Sequence, residues 1–106
     1  MNHQDTDITR NIKIVEFLKS EILTTVAALF QILLKGAKAS QDALIDTLAN
    51  LIFVTYLLGK RLGVGFSVID TKIMEKIKMG LLEEHQAEKW YGDLTSLSDY
   101  YMNHKR

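Results

Sequence analysis

The sequence predicts an all-α fold, a bundle of four to five helices, and three observations support that prediction. Apolar residues recur at intervals of three and four over long stretches, which is the spacing of one face of a helix. No stretch of useful length alternates apolar and polar residues as a half-buried strand does. Proline is absent, and glycines separate the periodic stretches. For 106 residues we expect one domain, with residues 1–7 and 103–106 frayed.

The first periodic stretch enters through Ile8, with Asp7 or Thr9 as its N-cap, and ends at Gly36. Glycine at that position is typical of a helix that stops in the left-handed conformation. Ser20 is a second candidate N-cap inside the stretch. The sequence therefore allows one long helix or two shorter ones, and slightly favours a break near Ser20.

The central helix is predicted from the N-cap Ser40 to Leu62. Asp42, Asp46 and Asn50 are four residues apart and so lie on one stripe of an otherwise apolar helix. Negative charge in the first turn is favourable, which explains Asp42. Asp46 and Asn50 lie beyond that turn, and burying them would be costly unless they face water, a polar partner or a cation.

The second half of the chain predicts shorter helices. Ser67 and Asp70 form a Ser-x-x-Asp capping box that would begin one of them. We expect that helix to kink or end at Gly80, because glycine costs about 1 kcal/mol relative to alanine inside a helix. A further stretch ends at Gly92, and a short terminal segment begins at Asp93.

Charge and composition exclude several classes of function. The 13 basic and 13 acidic residues balance, so there is no basic surface typical of nucleic-acid binding. Without cysteine there can be no disulfide or thiolate metal site, and a cytoplasmic location is expected. The apolar runs Ile22–Leu34 and Leu44–Leu58 are too short or too interrupted by polar residues to span a bilayer, so we expect no membrane insertion.

Facing helices would bring the polar residues together. A short connection after Gly36 predicts that the first region packs antiparallel on the central helix, with Glu21 near Asn50. Glu21, Asp46 and Asn50 could then supply oxygen ligands to one Mg²⁺ ion. The alternative is that both carboxylates lie at solvated edges of their helices. Likewise Lys72 and Lys76 either neutralise phosphates or belong to a solvated face.

Three successive segments of the chain carry a resemblance to a known family. The segments LANLIFVTYLLGKRLG, from Leu48 to Gly63, and VGFSVIDTKIMEKIKMG after it resemble the MazG-like proteins. The later segment GLLEEHQAEKWYGDLTSL is similar to the small MazG-like branch. That superfamily consists of all-α nucleoside triphosphate pyrophosphohydrolases. The resemblance implies two acidic pairs, E-x-x-E and E-x-x-D, that bind Mg²⁺ while water attacks a phosphorus atom and pyrophosphate leaves.

The residues of this chain match those pairs only in part. Glu21 matches the first acidic position, whereas Thr24 stands at the second. In the second pair Thr47 and Asn50 replace the Glu and the Asp, with Asp46 as the neighbouring carboxylate. Lys76 matches the lysine that faces the phosphates in the family. If the chain is a hydrolase, we expect Glu21 and Asp46 to be catalytic and Glu21, Asp46, Asn50 and Asp42 to surround Mg²⁺. Lys72 and Lys76 would then bind the phosphates of the substrate.

Two functions are compatible with these residues. The first is Mg²⁺-dependent hydrolysis of a nucleoside triphosphate or related nucleotide to the monophosphate and pyrophosphate. The second is a catalytically degenerate MazG-like module that binds a nucleotide or a protein partner. In either case Ile22–Leu34 is apolar around nearly its whole circumference, which predicts a homodimer or a larger homo-oligomer.

Overall fold

The computed structural model describes residues 3–104 of the chain, and these form five α-helices with no strand among them. The all-α prediction is confirmed. Residues 3–7 and 103–104, expected to fray, are helical, and the outermost residues of both ends lie outside the described part. The helices are α1 (His3–Lys35), α2 (Gln41–Arg61), α3 (Phe66–Leu82), α4 (Gln86–Tyr91) and α5 (Asp93–His104), with a 3₁₀ turn at Gly36–Lys38.

Helix α1 is continuous over 33 residues, so the preference for a break near Ser20 is wrong. Serine favours caps because its hydroxyl competes for backbone hydrogen bonds, but that tendency is weak. No proline or glycine interrupts α1. Buried residues lie on both sides of Ser20, at Leu18 and Thr25, and a break between them would disturb both contacts.

The ends of α1 and α2 follow the local signals in the sequence. Gly36 adopts a φ of 56°, the left-handed conformation predicted for the end of α1. Ser40 is the N-cap of α2, since its Oγ accepts a hydrogen bond from the Ala43 N–H at 3.3 Å. Asp42 lies in the first turn as expected. Helix α2 ends at Arg61, two residues before Gly63.

Helix α3 differs from its prediction at both ends. It begins at Phe66, one residue before Ser67, so Ser67 is not its N-cap. It also continues through Gly80 to Leu82, and Glu84, with a φ of 55°, makes the turn that follows. Gly80 serves a packing purpose, because a Cβ atom there would lie 2.5 Å from Cδ1 of Leu94.

The chain divides into two compact units, Met1–Phe66 and Ser67–Arg106. The first unit is a hairpin of α1 and α2, with Leu18 and Val54 as its buried apolar residues. In the second unit Ile77 and Gly80 of α3 are buried. The expectation of a single domain stays a prediction.

Two segments, Thr6–Lys38 and Gln41–Arg61, are long and apolar enough by length and composition alone to cross a membrane. The expectation of no membrane insertion was based on apolar runs that are too short or interrupted by polar residues, whereas both whole helices meet this broader criterion. Core helices of soluble proteins meet it too, so the observation carries little weight by itself.

Candidate functional site

One hydrogen bond joins the two helices of the hairpin near their middle. The Asn50 Nδ2 donates to the Thr25 Oγ1 at 2.8 Å. Thr25 is buried, with 5% of its surface exposed, and Asn50 is partly buried. A buried amide or hydroxyl is costly without a partner, so each group satisfies the other. The predicted antiparallel packing of α1 and α2 is therefore anchored by a polar pair.

A second polar position of α2 also bonds within the protein. The Thr47 hydroxyl donates to the backbone carbonyl of Ala43 at 2.7 Å, one turn back in the same helix. Thr47 and Asn50 are the two positions at which the resemblance implies metal-binding carboxylates. Both side chains donate a hydrogen bond to another protein group. Thr47 donates to the backbone of its own helix, and Asn50 donates to Thr25 of α1.

The two remaining carboxylates, Glu21 and Asp46, lie on either side of the Asn50–Thr25 bond. Glu21 comes four residues before Thr25 in α1, and Asp46 comes four residues before Asn50 in α2. Because the helices are antiparallel, these steps of about 6 Å run in opposite directions, which separates the two positions by about 12 Å along the hairpin. Glu21 is partly buried and Asp46 is exposed. The structure places both near Asn50 but on different sides of it.

Within residues 3–104 there is no group of three or more His, Asp or Glu side chains that could hold a metal ion. Asp42, the fourth implied ligand, lies one more turn from Asn50 and is exposed in the first turn of α2. The donor set does not form a chelating cluster. Mg²⁺ takes as few as one or two protein carboxylates, so ligation by Glu21 or Asp46 stays a prediction.

The two lysines assigned to phosphates lie together in the second unit. Lys72 and Lys76 line a cavity of about 640 Å³ that also includes Ile77, Leu94 and Leu97. Lys72 forms an ion pair with Glu75 at 2.7 Å, and its hydrogen bond and charge lower the pKa of the Glu75 carboxyl. Within the described part of the chain no carboxylate forms an ion pair with Lys76. Lys76 is therefore the better placed of the two to meet a phosphate.

Glu88 of α4 and His85, which precedes it, have structural roles that the sequence did not indicate. The Glu88 carboxylate accepts hydrogen bonds from the backbone N–H and the hydroxyl of Thr95, at 2.9 and 2.6 Å. These bonds lower the pKa of Glu88. His85 is the N-cap of α4, since its Nδ1 accepts from the Ala87 N–H at 3.0 Å.

Thr25 is the residue that sequence reasoning overlooked. It lies four residues after Glu21 and seven after the buried Leu18, on the face of α1 that packs on α2. A threonine on the apolar face of one helix, with an asparagine on the facing helix, was the available signal.

Comparison with protein-family models gives one match, described as the MazG-like family, over residues 8–94. The match covers most of the chain, reaches into both units, and includes the Asn50–Thr25 pair and the lysines of α3. Neither the curated proteins nor the solved structures contain a significant match.

Proposed function

Because this chain belongs to the MazG-like family, we propose that it is a nucleotide-binding module that holds a nucleoside triphosphate without hydrolysing it. The hydrogen bond from Asn50 to Thr25 carries this proposal. At the position where the family resemblance implies a metal-binding carboxylate, the chain has a neutral amide that is used to join α1 to α2. Hydrolysis would need negative charge there to hold a dication, and a base to activate water.

The other replaced positions support the same conclusion. Thr24 and Thr47 carry no charge, and the Thr47 hydroxyl already donates to the Ala43 carbonyl. Neutral oxygens can coordinate Mg²⁺, but they do not offset its charge. Three of the four implied carboxylates are thus absent, and the two carboxylates that remain nearby, Glu21 and Asp46, are about 12 Å apart along the hairpin axis.

The lysines of α3 would provide the binding. An ammonium group is a suitable point charge for a phosphate, and no carboxylate among residues 3–104 forms an ion pair with Lys76. The cavity that it lines also has apolar walls, among them Ile77 and Leu94, against which an apolar part of a ligand could pack. A cytoplasmic location, where nucleoside triphosphates are available, is part of the same proposal.

Hydrolysis is the second candidate function, and the survival of Glu21 and Asp46 as carboxylates favours it. In this case Glu21, Asp46, Asn50 and Asp42 would hold Mg²⁺, which supplies charge neutralisation for the phosphates and lowers the pKa of a bound water. Asp46 is exposed and so accessible to such an ion. The products would be the nucleoside monophosphate and pyrophosphate.

Calorimetric titration with each common nucleoside triphosphate tests binding. We expect Lys76→Ala to weaken binding about tenfold, since one charge-assisted contact is lost. Lys78→Ala is the matched control, because Lys78 is on the same helix but does not line the cavity. Equal losses in the two variants, or no binding by the unmodified chain, would rule out the proposed site.

An assay for pyrophosphate with Mg²⁺ and mixed nucleotides separates the two candidates. We expect no release above background. If pyrophosphate does appear, the second candidate predicts that Asp46→Ala abolishes it, whereas Asp99→Ala, which removes an exposed carboxylate of α5 outside the site, leaves it unchanged. Sustained release by the unmodified chain would refute the proposal of a non-hydrolysing module.

A further inference from the structure

The open end of the hairpin, opposite the connection of α1 to α2, contains a cavity that the candidate site does not include. Its volume is about 670 Å³, and residues of both helices line it. Cavities that bind small molecules have volumes of about 300–1,000 Å³. Leu18, on the α1 side of the cavity, is seven residues before Thr25. Seven helical residues extend about 10 Å, so the cavity lies well away from the bond between Thr25 and Asn50.

Positive charge is concentrated around this cavity. Among the described residues, three cationic side chains and one carboxylate line it, which leaves two positive charges in excess. The cations are Arg10 of α1 and Lys60 and Arg61 of α2, and the carboxylate is Asp7. The whole chain has no net charge, so this excess is local. Like charges held near one another repel, and an anion bound between them would relieve that repulsion.

The two arginines are available to a ligand. Neither guanidinium forms an ion pair or a side-chain hydrogen bond within residues 3–104. The ammonium group of Lys60 lies 5.3 Å from the centroid of the Phe66 ring, a cation–π contact that keeps this side chain at the open end of the hairpin. A guanidinium presents its N–H donors in a planar fork that matches the oxygens of a carboxylate or a phosphate. Arg10 and Arg61 therefore provide donors for an oxyanion.

Helix dipoles explain only part of this arrangement. Cations in the last turn of a helix interact favourably with its dipole, which accounts for Lys60 and Arg61 in α2. Arg10 is the eighth residue of α1 and so lies in the half of that helix nearer its positive end. A cation there gains nothing from the dipole of α1. Its position beside the two cations of α2 is the one that an anion site requires.

The cavity also has an apolar wall, formed by Ile14, Leu18 and Leu57. These residues lie between the cations and the middle of the hairpin. Leu18 is 3% exposed, and Leu57 is partly buried. A ligand with an apolar body would remove this wall from water, whereas an inorganic ion would leave it uncovered. The lining therefore fits a molecule that has an anionic head and an apolar body.

We propose that this cavity binds an organic anion whose head is a carboxylate or a phosphate and whose body is apolar. Arg10 and Arg61 donate hydrogen bonds to the oxygens of the head, Lys60 adds a third positive charge, and the apolar wall contacts the body. This cavity shares no lining residue with the cavity of Lys76, and the inference does not rest on nucleotide binding there.

Calorimetric titration of the full chain with sodium octanoate and with octyl phosphate tests the proposal and identifies the preferred head group. Octanol, which has the same apolar body without a charge, is the ligand control. We expect the preferred anion to bind at least tenfold more tightly than octanol, which cannot form the charge-assisted hydrogen bonds. Equal affinity for octanol, or no binding of either anion, would overturn the proposal.

Shorter anions test the apolar wall in the same assay. We expect propionate to bind at least tenfold more weakly than octanoate, and inorganic phosphate more weakly than octyl phosphate, because each lacks apolar surface to bury. If the short anion binds as tightly as the long one, the wall takes no part and the assigned ligand class is wrong.

Variants assign the residues. Arg10→Gln and Arg61→Gln should each weaken binding of the preferred anion about tenfold. Lys13→Gln is the matched control, since it removes the same charge from an exposed position of α1 that does not line the cavity, and it should leave the affinity unchanged. Circular dichroism checks that each variant folds. Equal losses in the three variants would mean a general attraction between charges and would refute the site.

A fourth variant, Lys76→Ala, separates this cavity from nucleotide binding. It should leave the affinity for octanoate and octyl phosphate unchanged, even if it weakens the binding of a nucleoside triphosphate. A comparable loss of both ligands in Lys76→Ala would overturn the assignment of a second, independent site.

Discussion

At the scale of single residues, the pair of Thr25 and Asn50 determines what the candidate site can do. A buried hydrogen bond contributes about 0.5–1.5 kcal/mol net, but an orphaned buried donor costs about 1–3 kcal/mol. The chain therefore gains little from forming the pair and loses much if one member is removed. That asymmetry makes Asn50 a structural residue first, whatever ligand binds nearby.

The asymmetry can be measured with three variants: Thr25→Val, Asn50→Leu, and the two changes combined. Thr25→Val leaves the Asn50 amide without its partner and should destabilise the protein by about 1–3 kcal/mol. Thr25→Val combined with Asn50→Leu removes both polar groups, and we expect it to be less destabilising than the sum of the single changes. Urea unfolding of the four proteins gives the coupling energy. Additive losses would mean that the bond does not contribute in solution.

At the scale of elements, the helix ends show what local sequence can and cannot predict. Gly36 and Ser40 were identified correctly because the conformation of a glycine and the hydrogen bond of a cap depend on residues within one turn. Ser20 and Ser67 carry the same local signal, yet neither begins a helix. At Ser20, packing along α1 overrides the capping signal. At Ser67, the helix begins one residue earlier than predicted, which is within the usual uncertainty of a helix boundary.

The connection between α4 and α5 predicts a pH dependence. Hydrogen bonds from Thr95 lower the pKa of Glu88 below its ordinary value of 4.5. A carboxyl with a lowered pKa in the folded state contributes stability that is present above 4.5 and is lost as the pH falls through the lowered value. We expect Glu88→Gln to reduce the loss of thermal stability between pH 6 and pH 3, measured by circular dichroism.

The control for that measurement is Glu84→Gln, which removes an exposed carboxylate of the same segment for which the structure records no hydrogen bond. It should leave the pH dependence close to that of the unmodified chain. If both variants change it equally, general charge repulsion at low pH is the cause rather than the bonds to Thr95.

At the scale of the whole molecule, fold and family were predictable, and the site was predictable only in part. Helical periodicity and the resemblance gave an all-α MazG-like chain, which the helices and the family match over residues 8–94 confirm. From antiparallel packing we expected Glu21 near Asn50. The sequence did not predict that Asn50 bonds to Thr25, one turn further along α1. That choice depends on how the two helices align, and no local pattern encodes a pairing of residues 25 positions apart in sequence.

The distribution of buried residues predicts how stability varies along the chain. Leu18, Thr25 and Val54 are buried in the hairpin, whereas α4 and α5 contain no buried residue. Segments with few buried contacts open at lower free energy. We expect backbone amides around Thr25 and Val54 to exchange at least a hundredfold more slowly than those of α5, measured by hydrogen exchange and mass spectrometry. Equal protection throughout would contradict this.

The bond between Asn50 and Thr25 also settles the register of the hairpin. Two helices with apolar residues at intervals of three and four can slide past each other by one or two turns and still bury apolar side chains. An alignment that set the amide and the hydroxyl against apolar side chains would lose this hydrogen bond, so such slippage is penalised at one point rather than along the whole seam. The polar pair thereby favours the observed alignment, and with it the spacing of Glu21 and Asp46.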